Sequence, residues 1–203
     1  MADKSHDLKL RLFGFLPLIF FLAQGVHYWR INQLGHLLWM CNIGNLLLAI
    51  GLFLGEPVLI RIAIIWTVPG LVVWFLYVVL DSGVILSSTL AHVGGIIVGM
   101  IVLRRVGMTR IAWLHAFGWY LLVQLLSRLL TGPDLNVNLS HRMQPGWEHT
   151  FSGYWQFWIT LGLVTACMLW ILGLVLWRIC PASESHATRE RSVADGQERN
   201  SEL

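Results

Sequence analysis

Six long apolar runs, each close to the length of a bilayer crossing, leave this chain little choice but to fold inside a membrane. They lie at about 11–29, 34–54, 58–80, 83–103, 111–130 and 154–178, and a hydrocarbon core takes roughly 20 helical residues to cross. Backbone amides in lipid must be satisfied within their own segment, and no strand-like alternation interrupts the runs. Each run therefore predicts a helix and not a barrel strand. Charged residues make up only 12% of the chain and the mean hydropathy is +0.66, whereas soluble domains are about a quarter charged. The expected fold is all-α, a polytopic membrane bundle of six transmembrane helices. It occupies one domain over 11–178, after a cytoplasmic segment 1–10 and before a polar, disordered cytoplasmic tail over 179–203.

Charge sets the expected orientation. Lys4, Lys9, Arg11, Arg61, Arg104, Arg105, Arg110 and Arg178 fall on one side, with Arg189, Arg191 and Arg199 of the tail, and only Arg30, Arg128 and Arg142 fall opposite. By the positive-inside rule both termini are cytoplasmic, in a multi-pass protein of a plasma or inner membrane. The first run also has the make-up of a signal peptide, with Ala23-Gln24-Gly25 at a cleavable spacing. Tyr28 and Trp29 close it as an interfacial anchor does, so it is read as a retained span. The basic residues sit at segment ends instead of forming an aromatic-laced stripe, which excludes nucleic acid as a partner and leaves membrane lipids. Cys41, Cys167 and Cys180 are too few for a disulfide framework.

Local signals shape the helices. Glu56-Pro57 suits a helix start, because proline in the first turn gives up no needed donor. Pro69-Gly70 predicts a kink within the third run. Gly95 and Gly99 form a small face on the fourth, which invites close packing.

Polar residues inside spans are costly and therefore informative. Cys41, Asn42, Asn45, Ser87, Ser88, His92, Gln124 and Arg128 all belong to the outer halves. At ~1.5 Å per residue, Cys41 lies about 10 Å and His92 about 13 Å from the outer ends of their runs, deep enough for the two to meet. Cys41 with Asn45, and Ser88 with His92, share helix faces at a spacing of four. A cysteine beside a histidine can pass its proton to the imidazole, and the thiolate attacks acyl carbonyls. Cys41 as nucleophile and His92 as base are thus the catalytic candidates, with Asn42, Asn45 or Gln124 donating to the oxyanion. Ser88, Arg128, Asn136 and Asn138 complete the expected substrate-binding set. Arg128 calls for an anionic partner, for which Asp81, Asp134 and Glu148 are the outer candidates. The long outer loop from Thr131 to His149 has the turn residues and aromatics of a lid or of a plain connector.

Other roles fit some of the same residues. Buried cysteines commonly act as small hydrophobes, and lone intramembrane histidines and asparagines as cross-bundle hydrogen bonders. His27, His36, His92, His141 and His149 lie toward the outer side, which raises a His-ligated metal or haem protein as one alternative. No pair of histidines shares a helix at ligand spacing, and no cofactor is expected. A non-catalytic membrane subunit or transporter is the other alternative, though no inverted hydropathy repeat marks a transporter.

The segment Leu38-Trp-Met-Cys41-Asn-Ile-Gly-Asn45-Leu-Leu-Leu-Ala-Ile-Gly-Leu52, with His92 two helices on and Asn136-Val-Asn138 after the fifth run, resembles the YwaF-like integral membrane family. That family is one of six-helix proteins and includes a eukaryotic phospholipid acyltransferase; the likeness covers about residues 34–160. It implies transfer of an acyl group from a phospholipid to a lipid acceptor through a cysteine thioester, with Cys41 and His92 in the family's cysteine and histidine positions. Related six-helix lipases use threonine with histidine to hydrolyse fatty-acid esters. The pattern also implies a tyrosine near the loop asparagines, where this chain has Val137 and Leu139.

Overall fold

In the computed structural model, which describes residues 10–81 and 83–182, the chain is helical, and its one β-type contact among those residues is an isolated bridge between Met108 and Pro181. Six main helices follow in order: α1 (Phe15–Arg30), α2 (Met40–Leu54), α3 (Pro57–Asp81), α4 (Leu86–Val106), α5 (Ala112–Leu130) and α6 (Tyr154–Ile179). Four segments, Leu10–Arg30, Pro57–Leu80, Leu86–Val106 and Tyr154–Ile179, are long and apolar enough to cross a bilayer, which makes this a membrane protein.

The second run does not form one continuous helix. Residues Leu34–Leu38 make a 3-10 turn, Trp39 is extended, and α2 begins at Met40 with 15 residues. Trp39 Nε1 donates to His36 Nδ1 at 2.9 Å, so the turn is closed by its own side chains before the helix starts.

Helices α2 and α3 form a tight antiparallel hairpin. Gly55 takes a left-handed φ of +70° and the Glu56 amide returns to the Gly51 carbonyl at 2.8 Å, which ends α2 and lets Pro57 open α3. Gly51 and Gly44, two turns apart, permit the close approach. A Cβ at Gly51 would lie 2.9 Å from Ile60, and one at Gly44 would lie 3.5 Å from the Ala63 carbonyl.

The two halves of α3 differ. Ile60, Ile62, Ala63, Ile64, Ile65 and Trp66 are buried and join Leu47, Leu48, Leu52, Val98, Val102 and Leu103 in the core. From 71 to 80 no residue is buried, and Val72, Val73, Phe75, Leu76, Val79 and Leu80 are open to the surroundings. Arg61, expected among the loop charges, lies in the buried half. Its guanidinium donates to the carbonyls of Gly107 (2.9 Å) and Val106 (3.4 Å) at the end of α4, where the helix dipole favours a cation.

Helix α4 contains a π turn over Leu90–Gly94. Beyond it, Gly95 packs on Asn45 and Gly99 on Ile64 and Leu48. Helix α5 is tied to α3 by Trp66 Nε1 donating to the Ala116 carbonyl at 3.1 Å, and α6 lays Gly173 against Trp113 of α5. After α6, Met108 exchanges backbone bonds with Cys180 and Ala182. Of the expected tail over 179–203, Ile179 still belongs to α6 and Cys180 is buried, while 183–203 with its arginines, and Lys4 and Lys9, lie outside the described residues.

Candidate functional site

Cys41 and His92 arrive at one point on α3. A Cβ at Gly70 would lie 2.9 Å from Cys41 Cβ and 3.7 Å from His92 Cδ2. The thiol-bearing and imidazole-bearing side chains thus both pack against Gly70, at the Pro69-Gly70 step that α3 carries without ending. Cys41 is the second residue of α2 and half-buried, and the backbone N–H groups of Cys41 and Asn42 lie beside its sulfur. The Asn42 amide already donates to the Trp39 carbonyl (2.9 Å) and the Met40 amide to Asn138 Oδ1 (3.3 Å), which leaves the Cys41 amide as the candidate donor at this helix start.

The imidazole of His92 is 8% exposed and sits in the π turn, stacked on Trp74 of α3 with ring centroids 5.9 Å apart. Its Nδ1 lies 2.7 Å from the Ser88 carbonyl and 3.4 Å from the Ser88 hydroxyl. A carbonyl can only accept, so Nδ1 carries the proton and Nε2, bonded to the Cδ2 that faces Gly70, is the basic nitrogen. Ser88 therefore orients the histidine through its backbone.

Of the three amides expected to donate to an oxyanion, Asn45 and Gln124 have both hydrogens engaged elsewhere and Asn42 has one. Asn42 Nδ2 donates to the His36 carbonyl at 3.0 Å, and Asn45 Nδ2 to the carbonyls of Cys41 (3.0 Å) and Ala91 (2.9 Å). Gln124 Nε2 donates to Tyr120 Oη (3.2 Å) and the Asn138 carbonyl (2.7 Å). Each of these side chains leaves its oxygen unpartnered: Asn42 Oδ1, Asn45 Oδ1 and Gln124 Oε1. An acceptor repels an oxyanion, so the candidate donor beside the thiol is the backbone amide of Cys41 itself.

A second polar cluster surrounds Asn138. Its Nδ2 donates to the Leu38 carbonyl (2.7 Å) and Ser127 Oγ (2.9 Å), and its Oδ1 accepts from the Met40 amide (3.3 Å). Left-handed φ values at Asn136, Asn138 and Leu139 fold this loop into the bundle mouth. Asn136 braces the loop from outside, its Oδ1 accepting from the amides of His141 (3.1 Å) and Arg142 (3.0 Å). Arg128 is exposed. Among the described residues it meets the Ser140 carbonyl, 2.8 Å from Nη1, and the rings of Tyr154 and Trp155; the side chain of Asp81, one of its expected partners, lies outside them. Tyr154, from the start of α6, donates its hydroxyl to the carbonyls of Leu139 and Ser140. A tyrosine thus reaches the asparagine loop from a different element.

Sequence reasoning missed Gly70, Trp74 and Gln24. Gln24 of α1 is 1% exposed and accepts from Ser87 Oγ at 2.8 Å, and a glutamine midway along an apolar run was the signal for it. Of the expected set, Cys41, Asn45, Ser88 and His92 converge near Gly70, while Gln124, Arg128, Asn136 and Asn138 belong to the loop cluster. Among the described residues no group of three or more His, Cys, Asp or Glu side chains is placed to hold a metal ion. No family model matches the chain, and neither a curated protein nor a solved structure matches it.

Proposed function

We propose that this protein is a multi-pass membrane enzyme that transfers acyl groups between lipids through a thioester on Cys41, with His92 as the base. The observation that carries the reading is that Cys41 Cβ and His92 Cδ2 both pack against Gly70, with His92 Nδ1 committed to the Ser88 carbonyl. With Nδ1 so engaged, Nε2 is the nitrogen left to take the thiol proton. The apolar setting argues for an ester embedded in a bilayer and not a water-borne one.

The chemistry needs no further group. The Cys41 thiol gives its proton to His92 Nε2, and the sulfur bonds to the acyl carbonyl carbon. The Cys41 backbone amide, at the start of α2, receives the oxyanion. Collapse breaks the ester C–O bond, and the departing alcohol takes the proton from Nε2. An acceptor hydroxyl then attacks the thioester carbon and gives its proton to Nε2. The C–S bond breaks, and the sulfur recovers that proton. Water in place of the acceptor yields a fatty acid, the hydrolase version of the same steps.

The reading includes six crossings with both termini cytoplasmic, supported by the basic residues gathered at one set of helix ends. Helix α2, about 22 Å long at ~1.5 Å per residue, completes its crossing with the Leu34–Leu38 turn. The test is acyl turnover of a labelled phospholipid in reconstituted vesicles, with mass spectrometry for a hydroxylamine-sensitive acyl group on Cys41. Cys41→Ser and His92→Ala are each expected to lower turnover by about a hundredfold or more while the protein stays folded. Full turnover in both variants rejects the assignment.

A further inference from the structure

Asn45 touches both halves of the proposed site. It is wholly buried in α2, one turn after Cys41. One hydrogen of its amide goes to the carbonyl of Cys41 and the other to the carbonyl of Ala91, the residue before His92. The Cys41 bond alone is an ordinary contact one turn back along the helix. The Ala91 bond crosses to α4, into the π turn, where the stretched backbone ladder leaves carbonyls open to an outside donor.

Space for this amide depends on Gly95. A Cβ there would lie 2.5 Å from Asn45 Oδ1, a distance that real atoms do not sustain. Asn45 Oδ1 has no conventional donor, and it rests against the Gly95 backbone, where a Cα–H contact is its weak substitute. A buried amide with both hydrogens spent on two different helices, seated over a glycine, fixes the separation of those helices to within a hydrogen-bond length.

We infer that Asn45 is the positioning residue of the site. Its amide fastens the backbone of Cys41 to that of the π turn that carries His92, and Gly95 is glycine so that the amide can enter. The inference rests on the acyl-transfer reading of Cys41 and His92. It replaces the oxyanion role expected for Asn45 with one in which the side chain never meets substrate.

The test reads coupling between thiol and imidazole. Full-length protein carrying Cys167→Ser and Cys180→Ser is alkylated with iodoacetamide in nanodiscs from pH 5.5 to 9, and modification of Cys41 is followed by mass spectrometry. In this parent, His92→Gln should slow alkylation at neutral pH by about tenfold and remove an inflection from the pH profile. Asn45→Ser and Gly95→Ala should each slow it to a similar degree, and adding His92→Gln to either should change nothing more. A side chain that served the fold alone would lower the melting temperature and leave the His92 effect intact. The pair Gly95→Ala with Asn45→Ser removes the crowding along with the amide, and is expected to be folded yet insensitive to His92→Gln. A His92-dependent inflection retained in any folded Asn45 or Gly95 variant overturns the inference and leaves the acyl-transfer reading standing. A parent with no His92 dependence removes that reading and this inference together.

Discussion

Around Asn138 four hydrogen bonds converge on one residue, with Leu38, Met40, Ser127 and Gln124, whereas around Gly70 the Cys41 Cβ and the edge of the His92 ring both pack against a glycine, closely enough to leave no room for a side chain there. Both clusters draw on residue types that are expensive in an apolar bundle, and both stand at the end of the bundle where α2 begins. In the first, donors and acceptors are matched across the loop, α5 and the entry to α2. In the second, Ser88 and Asn45 secure backbone and ring, and the reactive atoms stay unengaged. Intramembrane polarity therefore says that a site matters, and the use made of its hydrogens says whether it braces or reacts.

The largest effect on stability is expected in the brace. Asn138→Ala strips partners from the Leu38 carbonyl, the Met40 amide and the Ser127 hydroxyl, at a cost of about 2–4 kcal/mol. Thermal unfolding in micelles should show this loss exceeding that of His92→Gln, and equal losses would erase the contrast between the clusters. Gly70→Ala should show the opposite profile. A methyl 2.9 Å from Cys41 Cβ costs about 1–3 kcal/mol as overpacking, and it displaces the side chains that pack there. Alkylation of Cys41 in this variant should lose its dependence on His92, and a preserved dependence would show that Gly70 is not where the two groups meet.

The smallest effect is expected at the turn ahead of α2. Trp39 donates to His36 Nδ1 next to the peptide groups that Asn138 holds, so His36→Ala removes one part-buried hydrogen bond, worth about 1 kcal/mol, and loosens the brace. A melting temperature a few degrees below the parent's is the expected record, and an unchanged one would show that the turn closes without this bond.

The apolar runs foretold the helices because length and hydropathy are local properties. They did not foretell where α2 starts, since Trp39 and His36 close a turn through their own side chains. Hydropathy likewise cannot separate the two halves of α3, which are equally apolar; what differs is whether neighbouring helices surround them. Cys41 and His92 could be paired by depth, which counting along each run supplies. Depth carries no rotation, and so Gly70, the residue that both side chains meet, stayed invisible. The direction of each amide was equally out of reach, because Asn45 and Gln124 are chemically able to donate to an oxyanion and only their partners reveal that both hydrogens of each go elsewhere.

The π turn at Leu90–Gly94 has a consequence for how α4 tolerates change in length. A wide turn accommodates one residue more than a regular helix allows, and each residue advances the helix by ~100°. Ser87 and Ser88 before it and Gly95 and Gly99 after it are thus phased as if on two differently rotated rods. Deleting a single residue between 90 and 94 would leave α4 a smooth rod and swing one pair of contacts away from its mates. Shortening by one, ordinarily a modest edit in a long apolar helix, would here misalign everything on one side of the turn.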